Sequence, residues 1–230
     1  MPSTRNLIAI MVAGAFVLGT PVALANSGQV THLSGTLSAK KADGSMRILS
    51  SRSEVAAGDT VTTEKDTYAN IRFADGGNMT IKPNTTIKIE KLSYDAKNPK
   101  GDSFLATLVS GGLRMITGLI GQRSRDNFKM GTSTATIGIR GTTFNADDCT
   151  AGGPGCGDLP PGVYVGVTDG SVELANESGR SVVRAGQYSV IARNQAPRQT
   201  ANPGLAFTPP RAFSAPGASG PKAADCVIRR

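Results

Sequence analysis

Short β-rich runs, each stopped by Gly, Asp or Asn, carry this sequence from Gln29 to about Asn194. With 28 glycines in 230 residues, that rhythm leaves little room for helices and favours many short strands joined by tight turns. Asp43-Gly44 turns the chain before Met46-Arg47-Ile48-Leu49, and Ala57-Gly58-Asp59 turns it before Thr60-Val61-Thr62-Thr63. The clearest hairpin runs from Tyr68 to Phe73, turns at Asp75-Gly76-Gly77 and returns through Met79-Thr80-Ile81-Lys82. Pro83-Asn84 makes the next turn, and Thr85 to Ile89 alternates again. Ile87 and Ile89 are then expected on a dry face and Lys88 on a wet one.

Residues 104–120 admit two readings. Phe104, Leu105, Leu108 and Val109 fit one face of a helix. Gly111-Gly112, Gly118 and Gly121 would each cost that helix about 1 kcal/mol relative to Ala. Two strands joined at Ser110-Gly111-Gly112 are more economical. A weak internal repeat also stands out. Gly35 and Gly44 are nine residues apart, as are Gly170 and Gly179, and each pair is followed by an Ala-Gly, at 57–58 and at 185–186. One strand–turn–strand unit used twice, at the two ends of one sheet system, accounts for the spacing. The expected fold is all-β, an antiparallel sandwich or roll over residues 26–195.

The first 25 residues read as an address. Arg5 precedes an apolar run from Leu7 to Leu18, Pro21 breaks it, and Ala23-Leu24-Ala25 offers small residues for cleavage after Ala25. The run is short for a membrane span, and no later stretch is long and apolar enough for one. The mature chain is expected in the periplasm or outside the cell. In such an oxidising compartment, the Gly/Pro-rich segment 150–155 can bring Cys149 and Cys156 into disulfide reach. Two free thiols are the alternative. Cys226 is left over, either as a free thiol in a tail or as the link of a dimer.

The formal charge is +8, and half of it lies in the last 35 residues. Residues 26–195 hold 19 Lys and Arg against 16 Asp and Glu, whereas residues 196–230 hold five basic residues against Asp225 alone. Six prolines in those last 35 residues remove backbone donors and fix φ, so the tail is expected to be mostly disordered. A basic extended tail is attracted to anionic envelope polymers, and a solvated tail without a partner explains the same composition.

The order of these pieces resembles the FecR domain of bacterial envelope proteins. The carrying residues are Ala57 to Thr63, Ile71 to Gly76, Met79 to Ile87, and above all Thr134-Ala135-Thr136-Ile137-Gly138-Ile139-Arg140-Gly141-Thr142-Thr143-Phe144. Arg140, Gly141, Thr142 and Phe144 match the family's hallmark. Asp169 to Leu174 with Ala185-Gly186 completes the pattern. The resemblance implies a β-sandwich or roll outside the cytoplasmic membrane. The best-known relatives sense an outer-membrane iron-siderophore receptor and control a sigma factor through a cytoplasmic segment. No such segment is expected ahead of the domain here. The resemblance therefore implies an interaction or sensing role without chemistry of its own.

Gly141 is expected at a sharp turn or bulge. Arg140 has two readings: a buried guanidinium that satisfies loop carbonyls or pairs with Asp147 or Asp148, or an exposed cation gripping a partner's carboxylate or phosphate. Arg114, Arg123, Arg125 and Lys129 form a basic stretch that is either a solvated loop or a partner-binding patch for an envelope protein or for peptidoglycan or other anionic polysaccharide. Nucleic acid is not expected for an exported chain with 5% aromatics and no Trp. The single histidine, His32, leaves few acid–base arrangements, and no cofactor or metal is expected. A hydrolase built on Asp147 and Asp148 is the enzymatic alternative, and a secreted structural or adhesion protein joined through Cys226 is the third. Adjacent strand residues diverge, which counts against the carboxylate pair.

Overall fold

The computed structural model describes residues 26–124, 126–153, 155–205 and 213, with the backbone but not the side chain of Arg140. Residues 1–25, Arg125, Cys226 and most of the Pro-rich segment after Thr200 lie outside these residues. Fifteen strands follow in order: β1 (Ser27–Ser34), β2 (Leu37–Lys40), β3 (Met46–Leu49), β4 (Glu54–Ala56), β5 (Thr60–Thr63), β6 (Tyr68–Phe73), β7 (Asn78–Ile81), β8 (Thr86–Ser93), β9 (Ser103–Ile116), β10 (Phe128–Gly131), β11 (Thr136–Asp148), β12 (Val163–Asn176), β13 (Gly179–Arg184), β14 (Tyr188–Ile191) and β15 (Arg198–Thr200). Among the described residues one short α-helix, α1 (Leu119–Arg123), lies between β9 and β10, and a 3-10 turn, Pro99–Gly101, joins β8 to β9.

The strand pairings resolve into two layers. Layer one runs β4, β1, β6, β7, the second half of β9, the second half of β11, the first half of β12, β14 and β15. Layer two runs β3, β2, β5, β8, the first half of β9, β10, the first half of β11, the second half of β12 and β13. All pairs are antiparallel except β9 with β10, which are parallel because the α1 connection crosses over. The chain is thus the expected sandwich, but its layers are not separate sheets. Strands β9, β11 and β12 start in one layer and finish in the other, so hydrogen bonding runs through all fifteen strands.

Each crossing needs a sharp corner, and glycine supplies it. Gly111, Gly141 and Gly170 sit at the bends of β9, β11 and β12 with φ of +82°, +55° and +76°. A Cβ at Gly170 would stand 2.4 Å from the carbonyl oxygen of Gly141, so two corners pack back to back with no room for a side chain. This corrects the hairpin expected at Ser110-Gly111-Gly112. That segment is one bent 14-residue strand, because both halves find partners, β8 on one side and β7 with β11 on the other.

The repeat is real as topology. In the first copy β1 bends at Gly35 into β2, β2 pairs with β3, and β4 returns to β1. In the second, β12 bends at Gly170, its second half pairs with β13, and β14 returns to its first half. The two copies close opposite ends of the sandwich. Beyond the second, Arg198–Thr200 pair with β14, so regular structure continues into the segment where the proline count predicts none. Pro197 and Pro203 flank that strand, an edge position that proline tolerates.

The core lies between the layers. Ile71, Met79, Leu113, Met115 and Phe144 from layer one face Ile87, Ile89, Leu108, Phe128 and Ile137 from layer two, and all are at most 1% exposed. Ile87 and Ile89 are buried and Lys88 exposed, as the alternation predicts. Phe104 joins the layers, meeting Phe73 edge-on at 5.1 Å and stacking on Phe128 at 4.5 Å.

Candidate functional site: a basic-rimmed groove on layer two

The hallmark run builds a corner. The backbone N–H of Thr142 donates to Thr117 Oγ1 at 2.8 Å, and Thr142 Oγ1 donates to the Ser171 carbonyl at 2.7 Å. Phe144, two residues on, is fully buried. Gly141, Thr142 and Phe144 therefore bend β11, staple it to β12 and anchor it in the core. Arg140 pairs through its backbone with Ser171. The two carboxylates it was expected to meet have other partners. Lys82 Nζ donates to Asp147 Oδ1 at 2.6 Å, while Asp148 accepts from Ser133 Oγ at 2.6 Å and from Thr150.

The outer face of layer one is largely closed on itself. Asn70 Nδ2 donates to Asn78 Oδ1 at 2.7 Å and Thr80 Oγ1 at 2.9 Å, and Thr31 Oγ1 donates back to Asn70. The Lys82–Asp147 pair lies half-sheltered beside this ladder. Burial pushes the Asp147 carboxyl above the ordinary aspartate value, against the opposing pull of the Lys82 ammonium. Toward β14 the face is covered by a second small core of Cys149, Cys156, Tyr164 and Val190, with Leu159 and Leu205 packed on it. Cys149 and Cys156 form the expected disulfide, with Cα atoms 5.7 Å apart. At the other end the Phe213 ring lies tilted against His32, with centroids 5.4 Å apart, and meets Tyr68 edge-on.

The basic stretch is not one patch. Arg114 sits in layer one, in register with Thr80 and Asn145. Arg123 ends α1, bonds to buried Asp102 at 3.3 Å and lies over the Tyr94 ring at 5.6 Å. Arg125 falls outside the described residues. Of the three described residues of that stretch only Lys129 lines an open site, and most of its neighbours there come from elsewhere in the chain.

That site is a groove of about 960 Å³ on the outer face of layer two. Register builds it row by row. Lys129, Gly138, Glu173 and Val182 stand side by side on β10, β11, β12 and β13, and the next row is Gly131, Thr136, Ala175 and Arg180. Gly138, Thr136 and Ala175 form the floor with Glu173 standing among them, while Lys129 rises on one side and Arg180 and Arg184 on the other. The cations are poorly paired. Arg180 approaches Glu173 only to 3.8 Å with both side chains well exposed, a geometry worth little in water. Lys129 and Arg184 have no ion-pair partner among the described residues. Sequence reading missed Arg180 and Arg184. Their signal was the alternation Arg180-x-Val182-x-Arg184, which puts all three side chains on one face of β13.

Among the described residues, no helix is long and apolar enough to cross a membrane, and no group of three His, Cys, Asp or Glu is placed to hold a metal ion. The FecR protein family model matches residues 59–173, from the turn before β5 to the groove-facing Glu173 of β12. The chain belongs to the FecR family. No curated protein matches the sequence. Two crystal structures of a "putative anti-sigma factor" from Parabacteroides distasonis are similar at 14% identity and a TM-score of 0.44. The alignment covers 61% of this chain and 58% of that one, so this FecR chain spans less than two thirds of that protein.

Proposed function

We propose that this FecR-family chain acts outside the cytoplasmic membrane as a non-enzymatic sensing module, binding an envelope protein or an anionic envelope polymer on an exposed sheet face. The observation that carries the reading is the Cys149–Cys156 disulfide within the family-matched residues, because such bonds persist in oxidising compartments. The leader-like residues 1–25 support the same address. Binding is favoured over hydrolysis by the fate of the carboxylates. Asp147 turns to Lys82 and Asp148 to Ser133 and Thr150, so the two do not converge on one reacting atom. The basic residues beyond Thr200 are assigned to a tether, and Cys226 to a link between copies.

The test is fractionation of cells producing a tagged chain, followed by thiol labelling and crosslinking. The expected result is an extracytoplasmic chain whose Cys149 and Cys156 resist alkylation until reduced, crosslinked to an envelope component. A cytosolic chain with two reactive thiols would overturn the reading. A Cys226→Ser variant is expected to remove any dimer band on a non-reducing gel.

A further inference from the structure

We infer that the layer-two groove receives an extended acidic segment of a partner protein, with carboxylates alternating with apolar side chains. The inference rests on the sensing role and specifies its site and the chemistry of its partner. Three features carry it. The first is charge: Lys129 faces Arg180 and Arg184 across the floor, the two arginines are exposed, and the only acids on the lining are Asp126 and Glu173. Guanidinium forks that lack a good internal partner suit carboxylates.

The second is the pattern on β13. Val182 is 49% exposed and lies between the two arginines on the same face. A cation–apolar–cation row complements an acid–apolar–acid strand, which also has period two. An anionic polysaccharide has nothing to place on the valine, and no aromatic ring lines the groove to stack on a sugar. The third is position. Among the described residues β13 pairs only with β12, so its other edge offers backbone donors and acceptors to an added strand.

The floor offers a test that spares the fold. A Cβ at Gly138 would meet nothing closer than the Glu173 carbonyl oxygen at 3.8 Å, and Gly138 has no positive φ. Gly138→Val therefore fills the groove from below while suiting a strand better than glycine does. The probe is a fluorescently labelled Glu-Val-Glu-Val-Glu peptide, titrated by anisotropy into the purified chain, with a Lys-Val-Lys-Val-Lys peptide and polygalacturonate as comparisons. The acidic peptide is expected to bind, to weaken as salt rises, and to lose at least tenfold in affinity in Gly138→Val and in Arg180→Glu/Arg184→Glu, with melting temperatures unchanged or raised. Equal binding by wild type and both variants, no binding of the acidic peptide, or tighter binding of polygalacturonate would overturn the inference. If the groove inference fails while crosslinking in cells still captures an envelope component, the sensing role stands and the site lies on another face.

Discussion

The two outer faces of this sandwich carry similar polar side chains and use them in opposite ways. On layer one, Asn70, Asn78 and Thr80 bond to one another, Lys82 holds Asp147, and the disulfide loop and Leu205 cover one end. On layer two, Lys129 and Arg184 have no ion-pair partner among the described residues, and Arg180 meets Glu173 only at 3.8 Å with both side chains exposed. A polar face is spent on stability where its groups are mutually satisfied, and is free for recognition where they are not.

Substitutions on the first face are therefore expected to cost folding energy, and those on the second to cost none. The largest effect is expected from Lys82→Met, which strands the buried Asp147 carboxylate and should destabilise by about 3 kcal/mol in urea unfolding at neutral pH. Its pH dependence has a definite sign. Burial raises the Asp147 carboxyl above its ordinary value of 3.8. Between that value and the folded one, the folded chain holds a proton the unfolded chain has released, so this group's contribution to stability falls as pH rises through that window. Removing Lys82 raises the folded value further, so the gap between variant and wild type should narrow on acidification. A gap independent of pH would show that Asp147 is not the group being stranded.

Next comes the disulfide. Replacing Cys149 and Cys156 by Ser opens a short loop and should cost about 2–3 kcal/mol, read as a lower melting temperature under non-reducing conditions. Asn70→Ala should cost about 1–2 kcal/mol, since it leaves Thr31, Asn78 and Thr80 short of a shared partner. The smallest effect is expected from Arg180→Glu/Arg184→Glu, within about 0.5 kcal/mol of wild type. A loss comparable to that of Asn70→Ala would mean the groove face is structural too, and the contrast between faces would fail.

Strand periodicity and turn residues made much of the fold legible. Ile87 and Ile89 pointed inward as alternation required, and the paired nine-residue glycine spacing marked two copies of one unit. The bent β9 was not legible, because the same Gly-Gly reads as a turn or as a corner, and only the partners on each side decide. The hallmark run was readable as a family sign, but not its job of stapling β11 to β12 through Thr142. The site was hidden for a related reason. Lys129 lay within a run of cations that looked like one patch, yet register sends Arg114 to the other layer and brings Arg180 and Arg184 from 50 or more residues downstream. Charge clustered along the chain is not charge clustered in space once strands cross between layers.

Those crossings also govern how the molecule comes apart. In a sandwich of two independent sheets, one sheet can peel away and leave the other intact. Here three strands are covalent hinges shared by both, so loosening either layer tugs on the other through Gly111, Gly141 and Gly170. Amide exchange at the centres of the two layers should report one common opening free energy, as expected of a single cooperative unit.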